Sequence, residues 1–223
     1  MYRPFETLRL TGRCVSVVGS GGKTTLLRHL SQRLDGTVIL TTSTRIYPFP
    51  GIPLVTTGAG RDAALREIRA ALNQSRVVCV GQPQPSGKLA APAISFEDLL
   101  CEADNLLVEA DGAARRPLKA HRPWEPVIPS CTDLTVCVVG ASGIGKPVSE
   151  ACHCPELFCA LAGIAPEGPA DEAAIARALN RENLADVYLV NQVDALPDPS
   201  RVERLCDLID KPAAACSLRN LIR

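Results

Sequence analysis

"CVSVVGSGGKTTLLRHL", residues 14–30, decides how this chain folds. Its first five residues form a short apolar run, the composition of a strand buried on both faces. Its second half begins a leucine repeat at Leu26, Leu27, Leu30 and Leu34, the spacing of an amphipathic helix. Between the two lies "GSGGKTT", Gly19–Thr25. A phosphate cradle needs successive backbone N–H groups pointing inward at a helix N-terminus, which small residues permit. It also needs a lysine for the outer phosphates and a hydroxyl for Mg²⁺. Gly19, Ser20, Gly21 and Gly22 supply the turn, Lys23 the charge, Thr24 the hydroxyl, and Thr25 completes the loop. The usual spacing, G-x-x-x-x-G-K-[ST], asks for a glycine at position 17, where Val17 stands. A second stretch, "GASGIGKP" at 140–147, keeps that spacing but ends in Pro147, which offers neither hydroxyl nor N–H. It reads as a tight turn, and residues 19–25 are the candidate nucleotide loop. A dinucleotide loop, G-x-G-x-x-G, has no use for the Lys23–Thr24 pair.

Working outward, further apolar runs fall at Thr37–Thr41, Val77–Val80, Asn105–Glu109, Thr135–Val139 and Val187–Val190. Helical spacing recurs at Leu65, Ile68 and Leu72 and again at Val202, Leu205 and Ile209. Strand and helix in turn predict an α/β fold, a P-loop NTPase-like three-layer sandwich with a mainly parallel sheet. At 223 residues the expectation is one domain over 1–223. Two proline-rich stretches, "GQPQPSGKLAAPA" and "RRPLKAHRPWEPVIPS", read as long loops at the strand tips, where such folds keep their chemistry.

A nucleotide loop needs an acid at the end of a neighbouring strand. "NLLVEADGAARRPLKA" offers Glu109 and Asp111, which alternation places on one face at a strand's C-terminal tip. One carboxylate can hold the Mg²⁺ shell, together with Thr24, while the other orients an attacking group. The plain alternative is an acidic turn, since Asp-Gly is a common turn pair. Arg115, Arg116 and Lys119 follow, to neutralise a transferring phosphoryl group, to bind an anionic substrate, or to form a solvated loop. On the last clear strand, "VYLVNQVDAL" places Asn191 and Asp194 at the spacing by which guanine-reading proteins grip the base. Gln192 stands where those proteins carry lysine, so a strand closing before Pro197 is an equal reading, and the base stays open between ATP and GTP.

Hydrophobic content of 46%, charged content of 22% and zero formal net charge fit a globular protein and give no sign of a nucleic-acid or membrane-surface partner. No apolar run reaches the roughly 20 residues that span a bilayer. The first residues, "MYRPFETLRL", lack the apolar core of a signal peptide, so the expected location is the cytoplasm. Ten cysteines are then free thiols rather than disulfides. Cys152, His153, Cys154 and Cys159 crowd together in "ACHCPELFC", a set that could take Zn²⁺ or a selenium species. Its C-x-C spacing is not that of a zinc knuckle, and free cysteine is a common small core residue, which is the simpler reading.

The shortened loop resembles that of Mur-type peptide ligases. Taken in order, "VVGSGGKTTLL", "VILTTSTRIYPFP", "LLVEADGAARRPLKAH", "WEPVIP", "VVGASGIGKPVSE" and "VNQVD" resemble the YqeC family, from about Val15 to Asp194. That family is described as selenium cofactor biosynthesis or selenium-dependent hydroxylase accessory proteins. The resemblance implies a nucleotide-binding accessory protein serving a selenium-dependent molybdenum hydroxylase or its cofactor. It also implies that Lys23 and Thr24 are the phosphate and metal residues. Thr41, Thr42, Ser43 and Thr44 would face the γ-phosphate, and Glu109, Asp111 and Gly112 would form an acidic corner. Glu125 matches a family segment without an assigned role. The expected activity is Mg²⁺-dependent hydrolysis or transfer of phosphate from ATP or GTP. The alternative is a nucleotide-switched chaperone or docking protein with little turnover, "TTSTRIYPFP" being its switch segment.

Overall fold

A computed structural model describes residues 12–221; the signal-peptide reading of residues 1–10 lies outside them. Each expected strand is present: β1 (Cys14–Gly19), β2 (Val38–Thr42), then two short strands β3 (Arg45–Ile46) and β4 (Leu54–Thr56). β5 (Val77–Pro83), β6 (Leu89–Ala90), β7 (Asn105–Glu109), β8 (Leu118–Lys119), β9 (Leu134–Gly140), β10 (Cys152–His153), β11 (Val187–Asn191) and β12 (Ala213–Ala215) follow. A ten-stranded sheet runs β12-β11-β9-β1-β7-β2-β5-β6-β3, with β4 also paired to β5. Its pairs are parallel except β3–β6 and β5–β6 at one edge. β10 and β8 form a separate two-stranded sheet.

The helices are α1 (Lys23–Arg33), α2 (Arg61–Leu72), α3 (Phe96–Glu102), α4 (Val148–Ala151), α5 (Pro155–Ala162), α6 (Glu172–Glu182), α7 (Ser200–Leu208) and α8 (Leu218–Leu221). Alternation along the central strands sorts them into layers. Val15, Val17, Leu107, Val138 and Leu189 pack with Leu26, Leu27 and Leu30 of α1 and with Leu218. On the other face Leu106 and Val108 meet α2 and α3, while Val18, Val139 and Val190 meet the helices α5 to α7. Continuous apolar strands are what a sheet covered on both faces requires. Leu26 and Leu27 are wholly buried, each worth about 1.5–3 kcal/mol of burial, and this fixes α1 against β1.

β1 is flanked by β7 and β9, so the loop after β1 opens beside the ends of both. "GASGIGKP" leaves β9 as a short 3-10 turn, with Gly145 at φ 83 and Pro147 capping α4. The Pro-rich stretches are loops interrupted by β6 and β8. Among the described residues no helix is long and apolar enough to cross a membrane.

Candidate functional site

The loop between β1 and α1 turns on glycine. Gly21 adopts φ 89, and a Cβ there would meet the Gly140 Cα at 2.5 Å; Gly22 caps α1 at φ 139. No side chain caps the helix, and the N–H groups of Gly21 to Thr25 find no acceptor among the described residues. Those donors, with the positive end of the α1 dipole, form a terminus with the chemistry to accept an anion. The Lys23 ammonium donates to the Gly19 carbonyl at 2.8 Å and stands 3.0 Å from Asp111 and 3.8 Å from Glu109. Thr24 donates its hydroxyl to Glu109 Oε2 at 2.9 Å.

The two acids have different surroundings. Glu109 ends β7 and lines the cleft beside Thr24. Burial pushes its carboxyl up from the usual carboxylate range, against the opposing pull of Lys23 and Thr24. Asp111 sits beneath the loop, wholly buried. Its Oδ2 accepts from the Gly19 N–H at 2.8 Å and lies 2.7 Å from His121 Nε2 and 3.2 Å from Lys119 Nζ. Burial works to raise this carboxyl, but the His121 hydrogen bond and the charges of Lys23 and Lys119 outweigh it and hold it at about 2. No hydrogen bond reaches its Oδ1, where Lys23 forms an ion pair without hydrogen-bond alignment. Both acids thus meet the same Lys23 ammonium, as strand alternation predicts, but Asp111 lies deeper and does not line the cleft.

Around Asp111 lies a buried charge network that sequence spacing does not reveal. Lys119 Nζ also pairs with Glu125 Oε2 at 3.2 Å and donates to the Gly112 carbonyl. His121 faces Glu182, at the end of α6, through Nδ1 at 3.0 Å, and its backbone N–H donates to the same carboxylate at 2.6 Å. Burial works to lower the His121 pKa, yet hydrogen bonds to Asp111 and Glu182 leave it raised above 6.5. Glu125, the residue without an assigned role, is thus a counter-ion of Lys119.

The remaining candidates divide. Ser20, Gly21, Gly22, Lys23, Thr24, Thr25, Glu109, Gly112 and Arg115 line one cleft of about 370 Å³, within the range of small-molecule sites. Gly19 lies below it, bound to Asp111. Arg116 turns away and donates to the Glu150 carbonyl, while its own carbonyl accepts from Ser20. Thr42 donates to the Glu109 carbonyl at 2.8 Å and Thr41 to the Val80 carbonyl. The Thr44 N–H donates to Thr42 Oγ1 at 3.0 Å. These threonines brace the strand ends, and Arg45, Ile46 and Tyr47 line the cleft in their place.

Asn191 is buried behind the loop, where Nδ2 donates to the Gly21 carbonyl at 2.7 Å and Oδ1 accepts from the Leu218 N–H at 2.9 Å. Asp194 is exposed and accepts from Ser217 Oγ at 2.6 Å. Neither lines the cleft. Cys152 and Cys154 are buried, and among the described residues no three His, Cys, Asp or Glu side chains converge as a metal cluster. Mg²⁺ needs less: a hydroxyl, one or two carboxylates, phosphate oxygens and waters, a hard-oxygen set that Thr24 and Glu109 fit.

Comparison with known proteins covers much of this arrangement. The family model described as "YqeC protein" matches residues 15–156, which include the loop, the acids, Lys119 and His121 but stop short of Glu182 and Asn191. The chain is 33% identical over 162 residues to the "Uncharacterized protein YqeC" of Escherichia coli (strain K12), covering 69% of this chain. It spans 62% of that relative's length. A match over more than half of the chain, on the segment that builds the site, makes this protein a member of the YqeC family.

Proposed function

We propose that the chain binds Mg²⁺ and a nucleoside triphosphate at Gly19–Thr25 and hydrolyses it or transfers its terminal phosphate. The observation that carries this is the pairing of α1's unsatisfied N–H groups with Lys23 and the Thr24–Glu109 contact on the floor of one cleft. The N–H groups of Gly21 to Thr25 hold phosphate oxygens, and Lys23, kept close by the Gly19 carbonyl, turns its ammonium to the outer phosphates. Thr24 and Glu109 hold Mg²⁺, which when bound offsets charge on the phosphate oxygens. Asp111 keeps the loop in shape through the Gly19 N–H. The family resemblance supports a role in selenium cofactor biosynthesis or in maturing a selenium-dependent molybdenum hydroxylase.

A second reading, a nucleotide-controlled docking protein with little turnover, has its own support. Thr42 and the Ser43 N–H both bond the backbone carbonyl of Glu109, so the start of this segment is tied to the residue whose carboxylate faces Thr24. Titration with ATP and GTP, each with and without Mg²⁺ and followed by phosphate release, separates the readings. Mg²⁺-dependent binding with steady turnover, lost in Lys23→Ala, supports the enzyme; binding with negligible turnover supports the switch. No binding of either nucleotide overturns both.

A further inference from the structure

We propose that the cleft wall facing the nucleotide loop binds a second, phosphate-bearing small molecule through Arg45, Lys88 and Arg115. This rests on the reading above for what occupies the loop, but the cations have their own geometry. β3 and β6 pair antiparallel at the sheet edge, Arg45 opposite Ala90 and Ile46 opposite Leu89. Alternation buries Ile46 and turns Arg45 and Tyr47 outward into the cleft. The Lys88 ammonium stands 5.3 Å from the Tyr47 ring centroid, which positions it without neutralising it. Arg115 enters from the loop after β7, where Ala114 and Arg115 adopt φ 44 and 60 in succession. Two consecutive non-glycine residues in the left-handed region cost stability, and such strain collects at ligand-binding loops.

None of Arg45, Lys88 and Arg115 has a carboxylate partner among the described residues. Among the described residues one acid lines this cleft, Glu109, and it faces Thr24 and Lys23. The sheet order locates the excess charge. β7 lies between β1 and β2, and the β3–β6 arm continues from the β2 end, so Arg45 and Lys88 sit across Glu109 from the nucleotide loop, while Arg115 reaches the cleft from the loop after β7, where the Arg116 carbonyl accepts from Ser20. Asn191 lies on the opposite side, on β11. The loop's own N–H groups and Lys23 serve the nucleotide, which leaves the far cations for whatever meets its terminal phosphate. Guanidinium forks match phosphate oxygens in pairs, and two guanidinium side chains, Arg45 and Arg115, line this cleft along with the Lys88 ammonium.

The test titrates phenyl phosphate, a phosphomonoester that competes little for Mg²⁺, into protein saturated with Mg²⁺ and a non-hydrolysable triphosphate analogue. One equivalent should bind by calorimetry. Arg45→Ala and Arg115→Ala, both on exposed side chains, should each weaken it about tenfold while leaving analogue affinity within about threefold. Absence of phenyl phosphate binding to the saturated protein overturns the proposal. Equal weakening of the analogue overturns it too, because the cations then serve the nucleotide. If the wild type binds no analogue, the nucleotide reading fails alone. Phenyl phosphate titrated into the free protein then decides for the second site if both variants lose it, and against if neither does.

Discussion

Asp111→Asn is the perturbation whose size follows most directly from the structure. In the fold this carboxyl is held at about 2 against an ordinary 3.8, a difference equivalent to about 2 kcal/mol of stability. That contribution is present above about pH 4, and it disappears as acid carries the protein down through the folded value near 2. The amide loses more than this at neutral pH, because Lys119 and Lys23 remain buried beside a group that no longer offsets them. Breaking a buried pair from one side costs about 3–5 kcal/mol, a large part of the 5–15 kcal/mol that holds a domain together. Urea unfolding at pH 7 of the wild type, Asp111→Asn, Lys119→Met and the double variant measures it. The double variant should lose clearly less than the two single losses added, since the Asp111–Lys119 pair is then removed from both sides. A loss below about 1 kcal/mol for Asp111→Asn, or simple additivity, refutes the reasoning, because the network would then be screened rather than buried.

Two further outcomes follow from the same region. His121 carries a raised pKa, so its contribution to stability is full below the unfolded value of 6.5 and is lost as pH rises through the folded one. Urea midpoints from pH 6 to 9 should fall in the wild type and stay flatter in His121→Gln; the same decline in both rules His121 out as its source. Asn191→Ala removes the bond to the Gly21 carbonyl and strands the Leu218 N–H, at a cost of about 1–3 kcal/mol. Because it acts through the loop backbone, it should weaken ATP and GTP by the same factor in a binding titration. An effect on GTP alone restores Asn191 as a base-reading residue.

The loop and its strand were legible because they are local: glycine, lysine and threonine are consecutive, and β1 and α1 announce themselves by periodicity within residues 14–34. Glu109 was legible for the same reason, as the last residue of an apolar run. Asp111 shares Lys23 with Glu109, as alternation predicts, but its depth beneath the loop is not legible from spacing. The partners of Asp111 come from farther away. Lys119 and His121 sit in a proline-rich stretch with no period, and Glu182 is an ordinary acid at the end of α6. Only the packing of α6 against the sheet joins them. The β3–β6 arm was equally silent, because two-residue strands carry no pattern; Arg45 and Tyr47 line the cleft where the threonines before them do not.

The reach of Asn191 and Glu182 back to the loop changes what counts as the working unit of this protein. The segment matched to the family ends at residue 156, and among the described residues it contains all those that line the cleft. Yet the brace behind Gly21 and the acid that completes the His121 chain arrive more than twenty residues later, on β11 and α6. A fragment cut at that border would keep the motif and lose its scaffold: the glycine turn without its tether, the buried imidazole without its second carboxylate. The cleft is lined from the first two thirds of the described chain, and contacts behind it arrive from the last.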